Sequence, residues 1–98
     1  MSDIVLSENL VDATAIQTLN LPRIALLIIK TWVDKTGKSN INFAAKPYLQ
    51  ALTQIDSVNS TYGCDSGKSI VLYFLGNASQ YKGEQAKIVK AELKRRIK

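Results

Sequence analysis

Gly67-Lys68-Ser69-Ile70-Val71-Leu72-Tyr73-Phe74-Leu75-Gly76 decides the fold, because six consecutive apolar residues between two glycines read either as a buried helix or as a buried strand. Two features favour the helix. Ile70, Val71, Phe74, Leu75, Ala78 and Tyr81 recur at helical spacing, which carries the pattern beyond the run itself. No other segment offers a convincing strand to pair with it. Asp65 or Ser66 supplies an N-cap, and the expected helix covers 66–79.

Upstream, Asn20-Leu21-Pro22 opens a second apolar helix with a capping residue and a proline in the first turn, where a missing N–H costs nothing. Ile24 to Ile29, Trp32 and Val33 follow, and Gly37 reads as a left-handed stop, so this helix is expected over 21–36. Together with 66–79 it forms the expected inner pair. Asn40 or Asn42 caps a turn into Phe43-Ala44-Ala45, and a fresh helix starts near Pro47, with Tyr48, Leu49, Leu52 and Ile55 on its buried face and an end near Asp56. Residues 57–64 read as the longest connection. Ser7 or Asp12 starts a short helix containing Leu10, Val11, Ala15, Ile16 and Leu19. At the other end, Lys82-Gly83-Glu84 separates 66–79 from a last helix running to the C-terminus, with Ala86, Val89, Leu93 and Ile97 as its buried stripe.

The totals fit one small all-α domain, 1–98, of four to five helices in a bundle: 46% of residues are hydrophobic and 21% charged, so a core is affordable without cross-links. Composition also removes chemistry. The chain has no histidine, which excludes Ser-His-Asp and Cys-His catalysis and histidine-built zinc sites, and its single cysteine excludes a four-thiolate site and any internal disulfide. No signal peptide or membrane-length apolar run is visible, which gives the expectation of a soluble, cytoplasmic protein with no membrane partner.

Three features compete as sites. Gly67-Lys68-Ser69 resembles the end of a phosphate-binding loop, but the first glycine of that pattern falls on Tyr62 and no hydrophobic strand precedes it. The plain alternative is a helix start with small residues, whose amides and Lys68 and Ser69 side chains could still meet an anion. Cys64, just before that helix, lies where a thiol can be activated, yet Asp65 opposes this and an isolated cysteine is commonly a small packing residue. The strongest signal is charge: residues 82–98 carry seven basic side chains against Glu84 and Glu92, while the other 81 residues balance, so the net +5 sits on one element. Lys87, Lys90, Lys94, Arg95 and Lys98 are the candidate polyanion-binding set. Against that stands the ordinary reading, in which lysines solvate a packed helix and complement its dipole.

On Asn42-Phe43-Ala44-Ala45-Lys46-Pro47-Tyr48-Leu49, Asp65-Ser66-Gly67-Lys68-Ser69-Ile70-Val71-Leu72-Tyr73-Phe74-Leu75 and Tyr81-Lys82-Gly83-Glu84, the chain resembles short uncharacterised proteins of cyanobacterial type. That resemblance covers about the last sixty residues and implies no activity, cofactor or site. The residues themselves point to a non-enzymatic protein–protein interaction module without a cofactor. Two nearly all-apolar helices exceed what so small a chain can cover, and the surplus implies a protein partner or a homodimer. The alternative is a nucleic-acid-binding protein using the basic C-terminal helix.

Overall fold

The computed structural model describes residues 10–98. They are predominantly helical: α1 is Leu21–Thr31, α2 Lys46–Leu52, α3 Gly67–Gly76 and α4 Glu84–Arg96, with 3-10 turns at Ala15–Thr18 and Phe43–Ala45. The apolar run is helical. Within it Ile70, Val71 and Phe74 are buried while Leu72 and Tyr73 are exposed, which is the three-to-four spacing of a helix and not the alternation of a strand. Ser66 is the cap, its hydroxyl oxygen accepting the Ser69 N–H at 3.1 Å. The helix ends at Gly76, three residues short of the expected 79.

The expectation of a purely α-helical chain is corrected by a hairpin in the connection before α3. Strands β1 (Thr61–Tyr62) and β2 (Asp65–Ser66) pair antiparallel, with Tyr62 opposite Asp65. Gly63 has φ +64° and among the described residues only glycines have positive φ, so Gly63-Cys64 carries glycine where a II′ hairpin turn requires it. Strands of two residues produce too little periodicity to be read from sequence.

Two more helix bounds are corrected. α1 ends at Thr31 and not at 36, because Trp32 leaves the helix at ψ 77° to pack its ring. That ring stacks on Tyr81 at 5.2 Å between centroids and meets the edge of Phe74 at 6.3 Å. Beyond it the chain doubles back: the Asn40 N–H donates to the Trp32 carbonyl, the Asp34 N–H donates to the Lys38 carbonyl, and Val33 bridges Ser39. The Asp34 carboxylate accepts the Thr36 and Lys38 amides and the Thr36 hydroxyl, and these bonds hold its pKa below the ordinary carboxylate value. Gly37 has the expected positive φ, but it serves this loop and does not stop the helix. α2 closes at Leu52 and not at Asp56, since the Thr53 and Gln54 amides tighten onto carbonyls three residues back.

In place of the expected short helix before Asn20 there is only the 3-10 turn. The residue before it is Thr14, which makes no side-chain cap. Asp12 stands two positions further back, accepting the Thr14 and Ala15 amides at 3.0 and 2.8 Å, while Asn20 is committed to capping α1. Ser7 and the Ile4–Leu6 run lie outside the described residues.

The inner pair is corrected as well. α2 packs on both α1 and α3, while α1 and α3 meet through Trp32 and Phe74 at their C-terminal ends. α4 lies against α1 and the first 3-10 turn. One core joins them, with Ile16, Leu21, Ile24, Ile28, Leu52, Val71, Phe74, Val89 and Leu93 all fully buried.

Candidate interaction surfaces

The buried face of α1 is Leu21, Ile24, Ala25 and Ile28, which follows from their helical spacing. The remaining apolar residues of this helix cannot share that face. Leu26 stays 52% exposed and Ile29 41%, Ile29 beside α2, whereas Thr31 on another side holds the Tyr81 hydroxyl at 2.6 Å. Ile29, Ile41 and Leu49 floor a concavity of about 310 Å³ between α1 and α2, rimmed by Lys46, Gln50 and Thr53. Beside it stands Phe43, 83% exposed, with the Lys46 ammonium 5.9 Å from its ring centre. The exposure of Phe43 has a local cause. Asn42 caps the 3-10 turn by accepting the Ala44 N–H, and that turn buries Ala45 while turning Phe43 outward.

The basic helix is only partly as expected. Glu92 is 5% exposed and accepts two bonds from the Arg95 guanidinium, at 2.9 and 2.6 Å, and another from Arg96. Hydrogen bonds from Arg95 and Arg96 hold its carboxyl below the usual range against the opposing effect of burial. Arg96 also donates to the Ile16 carbonyl at 3.1 Å. Arg95 is therefore half of an ion pair. Lys87, Lys94 and Lys98 are exposed and Lys90 is half-buried over the Tyr81 ring, while Lys98 lies past the helix end at Arg96. Lys82 joins them across the turn: burial, then the charges of Lys94 and Lys82, push the Lys90 ammonium below its ordinary pKa.

Gly67, Lys68 and Ser69 do sit at a helix start, but their amides are largely engaged. The Gly67 N–H donates to the Ser60 carbonyl at 2.7 Å and that of Ser69 to the Ser66 hydroxyl. A Cβ on Gly67 would lie 2.7 Å from the Ser57 carbonyl oxygen and 2.8 Å from the Val58 Cα, so the glycine is explained by close backbone packing. Cys64 is exposed in the hairpin turn.

Two residues escaped the sequence reading. Gln85 is 8% exposed and its amide both accepts from the Val11 N–H and donates to the Val11 carbonyl, each at 2.8 Å, across 74 positions. Nothing in its neighbours announces this. Glu92 did leave a signal, because arginines three and four residues later are where helical geometry allows a pair. No helix among the described residues is long and apolar enough to cross a membrane. No protein-family model, curated protein or solved structure matches the chain.

Proposed function

We propose that this small helical bundle is a non-enzymatic interaction module that pairs with a second copy of itself through the α1–α2 face. The observation that carries this reading is a knob beside a hole: Phe43, 83% exposed, and the concavity floored by Ile29, Ile41 and Leu49, with Lys46 touching both. A surface holding both halves of a contact is self-complementary about a two-fold axis, each Phe43 entering its partner's hole. Ile29 and Phe43 stay 41% and 83% exposed, an apolar surplus that pairing would cover, with Gln50 and Thr53 on the polar rim.

The non-enzymatic part is supported by the occupations of the reactive groups. Glu92 is held by two arginines, Asp34 closes its own loop, and the chain has no histidine to act as a base. None of the concavities on α1–α2 or α4 is lined by Cys64, Lys68 or Tyr62. Light scattering on a sizing column tests the pairing. The chain is expected at dimer mass at high micromolar concentration, and Phe43→Ser at monomer mass with an unchanged helical circular dichroism spectrum. A monomer at every concentration, or a dimer that survives Phe43→Ser, overturns it.

A further inference from the structure

We infer that α4 and the turn before it form a phosphate-backbone contact for duplex nucleic acid, separate from the α1–α2 face. The patch is concave at one end: a hollow of about 330 Å³ is lined by Tyr81, Lys82, Gly83, Ala86, Lys87 and Lys90. Lys94 lies close enough to disfavour charge on Lys90, so like charges converge there. Both ion pairs among the described residues use Glu92, with Arg95 and Arg96, and no lysine of this patch has a carboxylate partner there. Concentrated positive charge without internal neutralisation is destabilising by itself and is relieved by an anionic partner.

The shape of the patch selects the class of anion. Lys87, Lys90 and Lys94 follow one face of a helix over about 10 Å, with Lys82 and Lys98 flanking, a row against which a duplex strand presents one phosphate per roughly 3.4 Å of its axis. None of the large exposed apolar residues, Leu26, Ile29, Val33, Phe43, Tyr62, Leu72 and Tyr73, belongs to α4, so the face lacks the apolar anchor that a lipid surface requires. Tyr81 is 1% exposed and cannot stack on a base. The contact therefore reads phosphates and carries no sequence preference.

Fluorescence anisotropy with a labelled random-sequence duplex tests this. Binding is expected at low salt, with log K falling against log salt at a slope of about −2.7 to −3.6, the value for three to four neutralised phosphates. Lys87→Glu, Lys94→Glu and Lys98→Glu together, all exposed positions, should abolish it, while the same charge change at Lys30, Lys35 and Lys38 should weaken it less than threefold. No binding at low salt overturns the inference. So do equal losses in the two triple variants, which would mean attraction by net charge alone, and binding to anionic phosphatidylserine vesicles without binding to the duplex.

Discussion

At the scale of single residues, the decisive positions are those where a side chain, or the lack of one, meets backbone. Gly67 is the clearest. Alanine is the better helix former, worth up to about 1 kcal/mol, but here its Cβ would overlap main-chain atoms at Ser57 and Val58 that cannot rotate away. The clash should win, and Gly67→Ala is expected to lower stability by about 1–3 kcal/mol, read as a fall in the urea midpoint. Glu92 makes the matching case for charge. Its pKa is depressed in the folded chain, so its contribution is complete above the unfolded value, near 4.5, and fades as pH falls through the lower folded one. Glu92→Gln should cost about 1–3 kcal/mol near pH 7, and the gap from the parent chain should narrow as pH falls below the unfolded value. A gap independent of pH would mean that the carboxylate's charge is irrelevant. The Trp32 indole N–H is buried with no acceptor among the described residues, a cost of roughly 1–3 kcal/mol that its ring contacts with Tyr81 and Phe74 must offset.

At the scale of elements, α3 provides the sharpest contrast between neighbours in sequence. Phe74 is fully buried and Leu72 is 56% exposed, two positions apart. Phe74→Ala should cost about 3–5 kcal/mol, enough to unfold much of a small domain, and Leu72→Ala within about 0.5 kcal/mol, both by thermal or urea denaturation. The periodicity that places them was legible from sequence, as were the cap of Asn20 and the break at Gly83, because local rules of backbone geometry govern all of these. The caps at Asn42 and Ser66 were each legible only as one of two neighbouring candidates. Tertiary demands were not legible. α1 stops early because Trp32 is wanted by Tyr81, nearly fifty residues away, and Gln85 is buried by a main-chain contact with Val11. For the candidate surfaces, the lysines could be counted from sequence and the spacing of Glu92 and Arg95 allowed their pair, but the burial of Glu92 and the knob made by Phe43 required the packed structure.

At the scale of the whole molecule, apolar and basic surfaces lie on different elements, and they should answer oppositely to salt. Self-pairing buries apolar surface between copies that each carry +5, so added salt screens the repulsion and should strengthen it. Duplex binding releases counterions and should weaken steeply. Sedimentation of the free chain and anisotropy of the duplex, taken across the same salt series, check both trends. Parallel trends would mean that one surface serves both contacts.

The grip of the last helix on the start of the described chain bears on how the protein is made. Val11 is held by Gln85, and the carbonyl of Ile16 by Arg96, so these residues find their partners only 74 and 80 positions later in the chain. Until α4 has been made, Ile16 has no finished pocket to enter, and α1 lacks the helix that packs against it. Completion of this core is thereby timed to follow the synthesis of α4.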